Sequence, residues 1–295
     1  MGHETEKKEL KGKNMKEEFK NVRNDLASLK TEGRNQNTLH IDTMSTFDMM
    51  KTMNDENRVV EDAIATQLEA IAEAVDIIAA RIEAGGHLIY IGAGTSGRLG
   101  VVDASECPPT FGVDPVLVRG IIAGGEGAMF RAVEGAEDDE ARGAAELLTD
   151  GVQAGDVVVG LSASGGAPYV LGALKKAREI GAVPMGITCN PDSRMHPLCD
   201  VIMAPYVGPE VITGSSRLKA GTAQKLILNM LSTGAMIKTG KVVGNLMVNV
   251  RPTNAKLRDR CIRILMELGD CDRETATTLI DTHGDIRKSL SELNK

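Results

Sequence analysis

Tryptophan is absent from this 295-residue chain, and four Phe and three Tyr are its only aromatics, 2% of the total. A nucleic-acid surface built from bases stacked on rings has almost nothing to stand on. Positive charge is also in deficit: 34 Lys and Arg face 41 Asp and Glu, a formal charge of −7. A general polyanion binder needs the opposite field. Any phosphate held here must therefore be held locally, by backbone N–H groups and hydroxyls. No apolar run reaches the length of a membrane span. The five cysteines (Cys107, Cys189, Cys199, Cys261 and Cys271) include no CxxC pair, and His40, His87, His196 and His283 show no metal-ligand spacing. The first thirty residues are charged throughout and are not shaped like a secretory leader. The expectation is a soluble cytoplasmic protein with reduced thiols, no metal, and neither membrane nor nucleic acid as partner.

Hydrophobic residues at 42% and charged ones at 25% are ordinary for a globular protein. The length suits one large domain with appendages. Residues 1–34 alternate Lys and Glu and read as a frayed or solvated helix. Residues 33–57 are polar and turn-rich and read as an ordered arm or loop, so 1–57 forms an N-terminal arm. Ile64, Leu68, Ile71, Val75, Ile78 and Ile82 then recur at helical spacing, predicting one helix over Glu61–Glu83, closed by Gly85-Gly86. Short apolar runs at Leu88–Ile91, Val116–Ile122, Val157–Leu161, Met185–Thr188 and Val201–Ala204 read as buried strands. Helical patterns at Glu134–Leu148 and Pro168–Ile180 lie between them. Such alternation predicts an α/β fold: a doubly wound parallel sheet with helices on both faces, a three-layer sandwich. Ser215–Lys238 reads as a long buried helix that completes a body spanning 58–250. Beyond the linker Arg251–Asn254, the patterns at Leu257–Leu268, Glu274–Ile280 and Gly284–Leu290 predict a small C-terminal helical domain over 251–295.

Three loops carry the chemistry. In Gly92-Ala-Gly-Thr-Ser-Gly97 a strand meets a helix through glycines that let the backbone approach an oxyanion, with hydroxyls at Thr95 and Ser96. A tight turn without a ligand would look similar. A dinucleotide is disfavoured, since no acidic residue ends the next strand, and no lysine follows as in a Walker A loop. The second loop, Ser162-Ala-Ser164-Gly165-Gly166-Ala167-Pro168, repeats the pattern, and two such loops in one sheet can converge on one phosphate. The third, Thr213–Thr222, places Ser215 and Ser216 beside Arg217 and Lys219; Ser215 is equally readable as a helix N-cap. Glu106, in Ala-Ser-Glu-Cys-Pro-Pro, is expected where two prolines end any helix and fix the backbone. That suits either a catalytic carboxyl or a structural ion pair. Glu126, Glu134 and Glu137 lie in an acidic run that reads first as a solvated face.

Taken together, these stretches resemble the N-acetylmuramic acid 6-phosphate etherase family of the sugar isomerase (SIS) phosphosugar-binding superfamily. The resemblance is carried by TEGRNQNT at Thr31–Thr38, YIGAGTSGRLGVVDASECPPTFG at Tyr90–Gly112, AGGEGAMFRAVEGAEDD at Ala123–Asp139 and TGSSRLKAGTAQKLILNMLSTGAMIKTGKVVGNLMVNV at Thr213–Val250. It implies a phosphosugar substrate and a lyase that removes the D-lactyl ether, in cell-wall amino sugar recycling, without metal or cofactor. By motif, Glu106 becomes the acid for the departing lactate and Glu137 the base at C2. Thr95, Ser96, Ser162, Ser164, Gly165, Ser215, Ser216 and Lys219 become substrate or phosphate contacts. It further implies a homodimer with the active site near the subunit interface. One departure concerns Ala167, where superfamily members often carry Thr. A phosphosugar isomerase or a non-catalytic phosphosugar-sensing regulator on the same scaffold is the competing expectation, and the ASECPP and EGAEDD blocks argue against both.

Overall fold

The computed structural model describes residues 32–293; the helix expected at the N-terminus falls on residues 1–34 and so lies almost wholly outside them. Five strands, β1 Leu88–Gly92, β2 Val118–Ile122, β3 Val157–Leu161, β4 Val183–Ile187 and β5 Val201–Met203, pair in parallel in the order β2-β1-β3-β4-β5. The central strands β1, β3 and β4 are buried at every position, as strands covered on both faces must be. Side chains alternate between the faces. Leu88, Tyr90, Val157, Val159 and Leu161 join one apolar cluster, and Ile89, Ile91 and Val158 join the other. Each large branched side chain so buried contributes about 1.5–3 kcal/mol.

The helices are α1 Thr46–Asn57, α2 Val59–Ala65, α3 Leu68–Glu83, α4 Gly94–Phe111, α5 Glu140–Thr149, α6 Pro168–Glu179 and α7 Lys219–Lys238. Residues of α2, α3, α4 and α7 cover the first face, and α5 and α6 the second. The expected doubly wound α/β sandwich is the observed fold. Helices α5 and α6 cross closely: a Cβ on Gly143 would stand 1.9 Å from Tyr169 O, and one on Gly172 2.0 Å from Glu140 O. After the hairpin β6 Val242–Val243 and β7 Leu246–Met247, the helices α8 Ala255–Gly269, α9 Arg273–His283 and α10 Ile286–Leu293 gather round Cys261, Leu265, Ile280 and Ile286, joined by Val248 and Val250.

Several boundaries differ from the sequence reading. The polar stretch before residue 58 contains a full helix, α1, whose N-cap Ser45 accepts from Asp48 N. The helix predicted over Glu61–Glu83 is split at Thr66-Gln67, because Gln67 Oε1 leaves the helix to accept from Ala204 N beyond β5 (2.9 Å). Leu68, a member of the predicted stripe, is consequently 52% exposed. The helix predicted from Glu134 starts at Glu140, where Asp139 caps Arg142 N, after Gly135 has turned the chain at φ +72°. Strand β4 begins two residues early and includes Pro184.

The clearest correction concerns the prolines after Glu106. Pro108 and Pro109 do not end the helix; α4 continues to Phe111 and Glu106 lies inside it. Each proline removes one intrahelical donor, but both fall in the closing turns. Gly112, at φ +62°, donates to Pro108 O, and Asn249 Nδ2 donates to Phe111 O at 2.7 Å. The chain end of α4 is thus held from outside.

The α5–α6 crossing yields a test. Gly172→Ala is expected to destabilise the protein by about 1–3 kcal/mol through overpacking. Gly127→Ala, whose Cβ would meet nothing within 4 Å, is expected to stay within about 0.5 kcal/mol of wild type. Urea unfolding of both variants checks the pair.

Candidate active site

In this order the winding of the sheet reverses between β1 and β3, with β2 added on one side of β1 and β3, β4 and β5 on the other, the place where ligands sit in open α/β sheets. The two predicted loops leave from that point. Gly92 at the end of β1 is the Cα partner of Leu161 at the end of β3, so both loops rise from one level of one edge. A Cβ on Gly92 would stand 2.8 Å from Gly97 N, which is why the turn needs glycine there.

The first loop opens α4. Its cap residue Ala93 offers no side-chain acceptor, and the first intrahelical bond runs from Gly97 N to Ala93 O. The N–H groups of Gly94, Thr95 and Ser96 are first-turn donors without an intrahelical acceptor, at the positive end of an 18-residue helix. In the second loop Ser162 Oγ accepts from Gly165 N (3.1 Å) and Ser164 Oγ from Gly166 N (3.2 Å). The two hydroxyl oxygens are 3.4 Å apart. Both use lone pairs on the loop; one hydroxyl donates to the other, which leaves one O–H of the pair to donate elsewhere. Gly165 has φ +67°, and a Cβ there would stand 2.2 Å from Ser193 Cβ.

The third loop meets the other two at the start of α7. Ser96 Oγ donates to Gln224 Oε1 (2.8 Å), and Thr95 Cγ2 lies 3.5 Å from where a Cβ on Gly221 would stand. From the second loop, Ala163 O accepts from Cys189 N (2.9 Å), and Cys189 Sγ lies 3.9 Å from Ala220 O. The three loops are therefore brought together around the first two turns of α7, with Ser215 half-buried and Ser216 exposed.

Glu137 and Glu106 are placed differently. Glu137 is exposed in a 3₁₀ turn, Ala136–Asp138, in the segment after β2. That segment starts with Ala123 N donating to Gly92 O, and it is tied back to α4 by Arg98 Nε donating to Met129 O at 3.0 Å. Glu137 thus belongs to the same sheet edge as the loops. Glu106 is exposed on α4, eleven residues after Thr95, or about 16 Å along the helix axis. Within one chain it does not border the first loop. A cleft of ≈ 470 Å³ lies beyond it, lined by Pro108, Pro109, Asp114, Arg251, Thr253 and Leu257, at the far end of α4 from the loops.

Family models match for the glucokinase regulatory protein N-terminal SIS domain over residues 70–178 and for the SIS domain over residues 132–234. N-acetylmuramic acid 6-phosphate etherase from Klebsiella aerogenes is 56% identical over 260 residues, 88% of this chain and 87% of that protein. The Clostridium beijerinckii protein of the same name is 53% identical over 275 residues, 92% of this chain and 90% of its own length. The chain belongs to the N-acetylmuramic acid 6-phosphate etherase family. A phosphoheptose isomerase from Francisella tularensis is 16% identical and superposes with a TM-score of 0.52, covering 66% of this chain and 100% of that one, a likeness of fold alone.

In this etherase family member Lys219 is not open to a ligand. The side chain is 2% exposed and its ammonium pairs with Glu56 Oε2 at 2.7 Å, so the expected substrate cation is a buried half of an ion pair. Glu56 also accepts from Asn35 Nδ2 (2.5 Å) and Asn37 Nδ2 (2.8 Å). Burial works against its charge, but the bonds from Asn37, Lys219 and Asn35 outweigh it and hold its pKa below the usual carboxylate value. The stabilisation from this carboxylate is therefore present at neutral pH and lost as pH falls through the lowered value. Glu210, 1% exposed, accepts from Lys219 N and Ala220 N, both at 2.9 Å, closing the α7 N-terminus to other anions.

Sequence reasoning missed Glu56, Glu210, Gln224 and Ser193. The first two lie in segments read as loop. Gln224 Nε2 and Ser193 Oγ are buried without a hydrogen-bond partner, one beneath the first loop and one beside the second. Among the described residues no group of three or more His, Cys, Asp and Glu gathers as a metal would need, and no helix is long and apolar enough to cross a membrane.

Two buried thiols, Cys107 far along α4 and Cys189 beside the second loop, are held in the protonated form. Burial, with help from nearby Asp103, pushes Cys107 up to about 12, and burial, with Glu210, does the same to Cys189. Both remain protonated at pH 8. In the native protein a disulfide reagent at that pH is expected to leave Cys107 and Cys189 unmodified for the time a free thiol needs to react completely. Denaturation should expose both at once, and peptide mapping reads the result.

Proposed function

We propose that this chain cleaves the D-lactyl ether at C3 of N-acetylmuramic acid 6-phosphate, giving N-acetylglucosamine 6-phosphate and D-lactate, in the cytoplasmic recycling of cell-wall amino sugars. The observation that carries the reading is the 53–56% identity to proteins of that named activity over about nine-tenths of the chain. The loop geometry supports a phosphate ligand. First-turn amides of α4 and an O–H of the Ser162–Ser164 pair supply neutral donors on one edge, which suits a protein of net negative charge.

The chemistry follows from the sugar. In the open-chain form the C1 aldehyde acidifies the C2 proton. Glu137 as base takes that proton, and the electron pair forms an enolate. Collapse of the enolate expels lactate from C3 as Glu106 as acid donates a proton to the departing oxygen. Water then adds at C3 of the C2=C3 double bond and a proton returns to C2. The two carboxyls must stay in different protonation states, which needs different environments.

The distance along α4 argues that the pair meets across two chains. Val102, one turn before Glu106 on the same helix face, is 50% exposed, an apolar neighbour suited to an interface. A homodimer in which one subunit's Glu106 faces its partner's loops would complete the site.

In deuterated water the protein is expected to release D-lactate and leave deuterium at C2; no turnover would sink the reading. Glu137→Gln should abolish C2 exchange, whereas Glu106→Gln should keep exchange and stop lactate release. The reverse pattern, no exchange in Glu106→Gln and exchange without lactate release in Glu137→Gln, would swap the two roles. After subunit exchange, a mixture of the two inactive variants should recover about a quarter of wild-type activity, since half the dimers are mixed and each mixed dimer holds one intact site. No recovery would place both glutamates in one chain.

A further inference from the structure

The segment that leads into α7 is held at both ends by one arm. At its front, Asn35 Nδ2 donates to Pro209 O (3.1 Å) and Thr38 Oγ1 donates to Val211 O (2.8 Å). At its back, Glu56 on the last turn of α1 pairs with Lys219, the first residue of α7, 163 positions away in sequence. Between these anchors the chain from 212 to 218 is mostly exposed, and its own bonds are local: Ser215 N to Ile212 O, Ser216 N to Gly214 O and Leu218 N to Ser215 O, with Ser216 O and Leu218 O accepting from Gly221 N and Thr222 N in the first turn of α7. The hydrogen bonds that tie its two ends to a part of the chain distant in sequence come from the arm.

A buried ion pair is a poor choice for stability alone, because apolar side chains of similar volume usually do as well or better. What it supplies is a unique partner choice. Glu56 satisfies both carboxylate oxygens, from Lys219 and Asn35 on one and Asn37 on the other. Glu210 is the other carboxylate at this point and is committed to the α7 amides, so Lys219 has one charged partner. The asparagines are the Asn35 and Asn37 of the TEGRNQNT block, whose role the proposed chemistry leaves open.

We propose that Glu56 is a positioning residue for the etherase reaction, acting through Lys219 to hold the loop Thr213–Leu218 in the shape that binds substrate. This rests on the proposed reading, in which Ser215 and Ser216 contact the phosphosugar. Glu56 touches no reacting atom. It sets where the loop stands, so its loss should weaken binding more than turnover.

The test compares Glu56→Gln, Asn37→Ala and Ser216→Ala with wild type, assayed with N-acetylmuramic acid 6-phosphate well below each variant's melting temperature. Glu56→Gln is expected to raise KM at least about tenfold while kcat stays within about threefold, and Glu56→Asp to recover part of the loss. The inhibition constant of N-acetylglucosamine 6-phosphate should rise in parallel with KM. Asn37→Ala, which keeps the ion pair and removes one bond to Glu56, should shift KM the same way by less, and serves if Glu56→Gln fails to fold. A lowered melting temperature with unchanged KM in both arm variants, while Ser216→Ala raises KM, would overturn the positioning role alone. An unchanged KM in Ser216→Ala would remove the loop from the site, and the inference with it.

Discussion

The parallel pairing of β1 with β3 is the constraint on which the rest of the molecule depends. It joins strands 69 residues apart in register, Leu88 with Val157 through Gly92 with Leu161. Because both strands run the same way, both must hand the chain to a helix at the same edge, one to α4 and one to α6. Two glycine-rich loops read separately in sequence thereby become one surface. The apolar alternation that buries both faces of these strands also forbids a one-residue slip, which would exchange the faces throughout.

On that edge the third loop is governed by charge. Three acidic or basic side chains are buried together at the start of α7: Lys219, Glu56 and Glu210. Each is satisfied, Lys219 by Glu56, Glu210 by two helix amides, and Glu56 by three donors. Removing one partner from such a set typically costs about 3–5 kcal/mol, because a charge is left unpaired in a poor solvent. Residues 35–56, polar enough to pass for a loose connection, therefore hold the start of α7 in place.

Legibility followed the range of the forces involved. Strands β1 and β3 were placed within a residue because their apolar runs are short, complete and bounded by glycine. Helix α1 was missed although Ser45 and Asp48 carry the capping spacing, since its apolar positions are few and Glu56 looks like any surface acid. The break at Gln67 was invisible because its cause, Ala204 N, lies 137 positions away. The prolines after Glu106 misled for the same reason: the bond that holds the last turn of α4 comes from Asn249.

The sequence by itself determined the sheet, the layers, the three loops and the family, because period, glycine placement and long matched blocks are local properties of the chain. The tertiary structure decided which candidate groups are free. It turned Lys219 from an expected ligand into half of a buried pair, brought the hydroxyls of Ser162 and Ser164 together, set Glu137 on the loop edge and carried Glu106 away along α4. Those outcomes depend on burial and on partners far away in sequence, and neither can be read from a residue and its neighbours.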